Sequence, residues 1–254
     1  MGARRGPRQG GLSTGSLASR SAVATRAGPA GQTRMTVLRS DGPVALRDTG
    51  DGVYLVGAAA GPLGGDDLEL EIDVGPGSRL LLRSAACALL LPGPHGGASR
   101  HAVHARVGAG AHLDFCLQPA IAAAGCDHQA SAEVDLAPSA TLRWREAIVL
   151  GRHGEPAGHC ESRLDVTLAG IALYRGELVV GRPWADTSSA VLDGAGAAGS
   201  VLLAGAARAR SAAHAGDGLA VLPLAGPGTI VSATAPDAAT LARRLDDGER
   251  LAGR

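Results

Sequence analysis

Leu68, Leu70, Ile72 and Val74 alternate with Asp67, Glu69, Glu71 and Asp73. Side chains that change sides at every residue place the four apolar groups on one face of a β-strand and the four acids on the other. A helix would scatter them. Gly75-Pro76-Gly77-Ser78 supplies a turn, and Arg79 to Leu82 leaves it as the next strand. The unit recurs. Val74-Gly-Pro-Gly-Ser-Arg-Leu80 is echoed by Val107-Gly-Ala-Gly-Ala-His-Leu113 and by Leu136-Ala-Pro-Ser-Ala-Thr-Leu142, with 33 residues from Val74 to Val107 and 29 from Val107 to Leu136. A lone strand-turn-strand unit cannot cover its own apolar face, so copies at this spacing predict stacking.

The same reading extends to the rest of the chain. Short strands are expected around residues 36–38, 44–46 and 53–56, with Asp41-Gly42 and Asp51-Gly52 as hairpin turns. Further strands are expected over 100–107, 112–117, 131–136, 141–150, 161–168, 171–180, 219–224 and 229–233. Residues 193–205 read as a glycine-rich connection. Pro236-Asp237 opens a C-terminal helix with Leu241 and Leu245 at i, i+4 on its packing face and Gly248 limiting its length. The fold class is therefore all-β, a β-helical or stacked β-sheet architecture of many short strands with a short C-terminal helix.

Composition changes the picture at the N-terminus. Residues 1–34 hold six Arg, no acid and little hydrophobicity, and read as a disordered Arg/Gly/Ser-rich tail, with Met35 a candidate start of a single β domain over 35–254. The remainder carries 18 Arg against 24 acids, a net −6, which suits phosphate backbones poorly. All 24 basic side chains are Arg, so lysine chemistry, from Schiff bases to phosphate loops, is excluded. With five aromatics, stacking platforms for single-stranded nucleic acid or carbohydrate are scarce. No run of 18 apolar residues predicts a membrane-spanning helix. Cys87, Cys116, Cys126 and Cys160 lie outside any CxxC spacing and read as reduced thiols of a cytoplasmic protein.

Catalytic motifs are weak. Gly194-Ala-Gly196-Ala-Ala-Gly199 spells a dinucleotide fingerprint, yet the run ending at Leu224 lacks the acid that a second strand would supply. HExxH does not occur. His101 and His104 fall on opposite faces of one strand and cannot chelate together, whereas Cys126 and His128 share a face if extended. Carboxylates remain: Asp66 in a glycine turn, Glu146 among apolar residues, Glu155 in a polar loop and Glu177. Carboxylates with histidines suit a borderline divalent ion such as nickel, held loosely enough to be passed on. Glu69 and Glu71 are read instead as a solvated strand face that resists edge pairing.

Gly61-Pro-Leu-Gly-Gly-Asp66, Val74-Gly-Pro-Gly-Ser-Arg-Leu-Leu-Leu82, Leu117-Gln-Pro-Ala-Ile121, Trp144-Arg-Glu146 through Glu155, and Ser162-Arg-Leu-Asp-Val166 resemble, in order and spacing, the urease accessory protein UreD family. Arg83-Ser-Ala-Ala-Cys87 departs from the Thr-Thr-Gln stretch that many members carry. The resemblance covers about residues 36–245. It implies a non-enzyme with a β-helical fold, a maturation chaperone that binds apo-urease subunits, UreF and UreG and helps to deliver nickel. It implies no tightly bound cofactor, only transient nickel, with Asp66, Glu146 and Glu155 matching the family's motif carboxylates as a nickel route or as loop-fixing acceptors. Two other readings stay open: a β-solenoid enzyme acting on polysaccharide through paired carboxylates such as Asp66 and Glu146, and a metal-free interaction module.

Overall fold

The computed structural model describes residues 16–58, 61–205 and 212–253. In chain order the first strands are β1 (Ala18–Ala27), β2 (Thr33–Arg39), β3 (Val44–Asp48), β4 (Val53–Gly57), β5 (Asp67–Val74), β6 (Arg79–Ser84) and β7 (Ala88–Leu90). There follow β8 (Ser99–Val107), β9 (His112–Cys116), β10 (Ala120–Ala122), β11 (Asp127–Leu136), β12 (Thr141–Leu150), β13 (His159–Leu168) and β14 (Ile171–Val180). The one-turn helix α1 (Pro183–Asp186) leads to β15 (Ala197–Gly205), β16 (His214–Gly216), β17 (Leu219–Pro223), β18 (Gly228–Ala235) and α2 (Ala238–Ala252).

Two sheets face each other. One has the order β14-β13-β11-β8-β5-β1-β2, the other β16-β17-β18-β15-β12-β9-β6-β4-β3. The glycine corners carry the chain from the first sheet to the second, so β5 and β6 do not form a hairpin: β5, β8, β11 and β13 stack in parallel, as do β6, β9 and β12. The strand-turn-strand unit is thus one coil of a solenoid, and its repeat is the register. Val74 pairs with Val107, Val107 with Leu136 and Leu136 with Leu168; Leu80 pairs with Leu113 and Leu113 with Leu142. Equivalent apolar side chains therefore lie one above another and fill the space between the sheets with Val, Leu and Ile, plus Phe115 stacked on Trp144 at 3.8 Å and 3°. The corners themselves nest. A Cβ on Gly108 would lie 2.7 Å from Pro76 N, so one coil can rest on the next only without a side chain there.

Four expectations need correction, the last at the C-terminal helix. Residues 18–27 are not disordered: β1 lies between β5, to which it is parallel, and β2, to which it is antiparallel, with Val23 in the core. Its buried side chains include Ser19, Ser21 and Thr25, which composition counts as polar, and Thr25 Oγ1 meets Ser78 Oγ at 2.8 Å. Residues 1–15 lie outside the described residues. Asp41-Gly42 does not join a hairpin within one sheet, since β2 and β3 belong to different sheets; the turn after β3 does. Residues 197–205, read as a connection, form a strand paired on both sides, with β12 and with β18.

At the C-terminus, Asp237 caps α2 by accepting from Thr240 N at 2.7 Å. Leu241 and Leu245 pack on the second sheet with Val231 and Val201. Gly248 does not end the helix. It is buried mid-helix because a Cβ there would lie 2.3 Å from Val231 Cγ1, so the glycine brings helix and sheet together.

Candidate functional site

The regular coils place apolar side chains inward until the N-terminal ends of β8, β11 and β13. There the inward positions become Ser99 and His101 on β8, His128 on β11, and Cys160 and Ser162 on β13, while β12 contributes Glu146 from the opposite sheet. Register explains the meeting. Ser99 pairs with His128 and His128 with Cys160; His101 pairs with Ala130 and Ala130 with Ser162. All of these except Ser99 border a cavity of about 530 Å³ between the sheets, walled for the rest mainly by apolar side chains such as Leu68, Val103, Phe115, Trp144 and Ile148. The cavity also touches the exposed residues Ala85, Ala86 and Cys87, where it meets solvent.

Burial sets the charge states. His128 Nδ1 lies 2.8 Å from Ser99 Oγ, and burial, with neighbouring His101, lowers its pKa to about 4. Burial also lowers the pKa of His101. Both imidazoles are neutral near pH 7 and keep a lone pair for a cation. Burial raises the pKa of Glu146, whose Oε2 accepts from Ser162 Oγ at 3.1 Å. The Trp144 indole N–H, on the same face, works weakly against that rise, yet it falls outside hydrogen-bond geometry and has no partner. Burial pushes the Cys126 and Cys160 thiols to about 11 and about 12, so neither offers a thiolate.

Of the three carboxylates picked out in the sequence, only Glu146 lines this cavity. Asp66 is buried and committed to backbone: Oδ1 accepts from Leu17 N at 3.0 Å and Oδ2 from Leu63 N at 2.9 Å, joining the start of the chain to the 61–66 loop. Glu155 folds its own loop, accepting from Arg152 N at 2.9 Å and from the Arg152 guanidinium at 2.7 and 2.8 Å, which holds its pKa at about 2. Cys126 and His128 do share the inward face, but Cys126 lies behind the cavity wall. His104 sits outside, 3.6 Å from Glu133, as its separation from His101 required. Glycines 194–199 run from a turn into β15, with no helix after them. Among the described residues no group of three or more His, Cys, Asp or Glu is placed to hold a metal ion. The cavity therefore offers donors in series rather than a preformed chelate.

His101 and His128 escape a strand-by-strand reading. The signal that finds them is the coil offset: 29 residues separate Ser99 from His128 and His101 from Ala130, the same step that separates Val107 from Leu136.

A family model described as UreD urease accessory protein matches residues 17–252. The chain belongs to the UreD urease accessory protein family. Among curated relatives, the urease accessory protein UreD of Frankia casuarinae is 42% identical over 97% of this chain and 95% of its own length. That of Frankia alni is 42% identical over 91% and 93%, and that of Streptomyces avermitilis 38% identical over 89% and 93%. The relatives are named as accessory proteins, which supports a part in urease maturation. In this UreD chain the match begins at residue 17, beside the Leu17 N–H that Asp66 accepts. The stacked aromatics Phe115 and Trp144 lie buried inside the coil and form no open carbohydrate platform. Among the described residues no helix is long and apolar enough to cross a membrane.

Proposed function

We propose that this UreD-family chain is a urease maturation chaperone that binds apo-urease subunits together with UreF and UreG in the cytoplasm and helps to deliver nickel to the urease active site. In this reading the ion is cargo, with no cofactor tightly bound, and it passes through the cavity between the sheets. The observation that carries the reading is the cavity's polar wall. One carboxyl, Glu146, faces a passage that also presents the neutral imidazoles His101 and His128, inside a chain whose family is named for urease maturation. Imidazole, together with a carboxyl that gives up its proton to the ion, suits a first-row divalent ion of borderline softness. Donors in series bind weakly enough to release.

The test is co-production of urease with its accessory proteins at limiting nickel. Omitting this chain abolishes activation, and Glu146→Gln lowers nickel per urease active site at least tenfold while capture of urease by the tagged chain is retained. Excess nickel restores part of the loss. Full nickel loading without this chain at limiting nickel overturns the reading. Unchanged loading with Glu146→Gln combined with His128→Gln favours the metal-free interaction module instead.

A further inference from the structure

From β14 to β15 the chain crosses between the sheets through residues 181–196. This crossing is bonded mainly to itself. Gly181 N donates to Asp186 Oδ1 at 2.9 Å, Gly194 N to Asp186 O at 2.7 Å, Leu192 N to Ala185 O at 3.2 Å and Asp193 N to Ser188 O at 2.9 Å. Ends held close by internal bonds make it a compact Ω-type loop. Only Ala185 and Leu192 within it are buried, while Trp184 is 65% exposed and Val191 44% exposed. Leu192 enters a cluster with Leu90, Cys126, Ile148, Cys160 and Ala198. Of these, Leu90, Ile148 and Cys160 are also the wall of the cavity. Leu192 therefore stands behind the wall, on a loop whose one other buried side chain is Ala185. At its two ends lie Gly181 and Gly194, with φ of 75° and 73°. A Cβ on Gly181 would lie 2.1 Å from Gly158 O, which makes Gly181 the fixed base, whereas a Cβ on Gly194 would meet nothing within 4 Å.

We propose that residues 181–196 are a removable plug seated by Leu192 on the cavity wall, pivoting between Gly181 and Gly194 to give the cavity a second opening. The solvent-facing side at Ala85–Cys87 then serves entry and the plug serves exit, as a conduit requires and a storage site does not. The plug rests on the reading that the cavity carries an ion.

Cys126 is the reporter, because it is buried in the Leu192 cluster and does not line the cavity, whereas Cys87 is exposed and serves as control. Iodoacetamide labelling of the full chain, followed by mass spectrometry, is expected to modify Cys126 at least tenfold faster in Leu192→Ala than in the wild type, with Cys87 unchanged. In the wild type, the amides of Leu192 and Gly194 are expected to exchange hydrogen together and at least a hundredfold faster than those of β15. Cys126 labelling that stays unchanged, or plug amides that exchange only as fast as β15, overturns the plug. These readouts involve no metal. Faster Cys126 labelling in a chain that fails the nickel-limited urease test keeps the plug and removes the cargo; the opposite pair of results removes the plug alone.

Discussion

Two carboxyls with different neighbours show what a single residue does here. Asp66 is buried and accepts two backbone N–H groups, one at each carboxylate oxygen. Asp66→Ala leaves Leu17 N and Leu63 N without acceptors and is expected to cost about 3 kcal/mol, read by urea unfolding, with faster hydrogen exchange concentrated in β1. Glu146 faces a cavity and one hydroxyl, and burial raises its pKa. Its native form therefore holds a proton that the unfolded chain gives up above about 4.5, so its contribution is complete below that pH and is lost as pH rises through the raised native value. Glu146→Gln keeps the shape and removes this pH dependence; stability at pH 7 is expected to equal or exceed the wild type. His128 has the opposite sign. Above 6.5 both states hold a neutral imidazole; between 6.5 and about 4 only the unfolded chain takes up the proton. Stability then falls as pH drops, by up to about 3 kcal/mol over that window at 1.36 kcal/mol per unit. Urea midpoints of the wild type and His128→Gln, compared from pH 7 to pH 4, should converge as acid is added; parallel curves would refute the buried neutral histidine.

The elements of this fold are short, and their joints decide the architecture. Gly108 and Gly110 occupy one corner for different reasons. Gly110 has φ of 65° and open space around it, so Gly110→Ala is opposed by backbone strain alone, about 1 kcal/mol. Gly108 rests on Pro76 and Gly75, and Gly108→Ala must push one coil off the next, a cost of about 2 kcal/mol or more. Urea unfolding is expected to rank Gly108→Ala below Gly110→Ala; the reverse order would mean that the corners do not nest. Such joints are legible in the sequence because glycine and proline mark them, and the 33- and 29-residue offsets give the stacking register before any coordinate does. What the sequence hides follows from burial on two sides. In β15, Leu202 and Ala204 face the core between the sheets, while Val201 and Leu203 face α2. A strand covered on both faces shows no alternation, and its alanines and glycines read as a linker. β1 hides because its buried hydroxyls count as polar. At the site, Glu146 was visible as an acid among apolar residues, but the histidines are brought together across strands, a relation that periodicity within one strand cannot show.

At the scale of the molecule, stacked coils depend on neighbours more than on a distant centre, so the ends of the stack carry particular weight. The second sheet is covered on one face, over β15, β17 and β18, by α2, which is held both by apolar packing and by ions: Arg143 binds Glu249 through Nε at 2.8 Å and Nη2 at 2.7 Å, and Asp114 through Nη1 at 3.0 Å. Among the described residues no helix covers the β5 side of the first sheet. It has β1, itself paired with β2, and all of β1 lies before Met35. A chain begun at Met35 would keep most of β2 without its partner. It would expose the full edge of β5 beside Leu68, Leu70, Ile72 and Val74, an unpaired strand of the kind that recruits other chains. Val23 would leave the core and Thr25 would leave Ser78 Oγ without its buried hydroxyl partner. The Leu17 N–H that Asp66 accepts would go as well, so one truncation removes an end rung, a core side chain and the acceptor's partner together. A chain begun at Met35 is therefore expected to be recovered mainly as aggregate, or to unfold at least 10 °C below the full chain in a thermal scan, and to activate no urease. A soluble product with the full-length midpoint would show that β5 tolerates an open edge, and β1 would then be an ornament of the fold rather than one of its rungs.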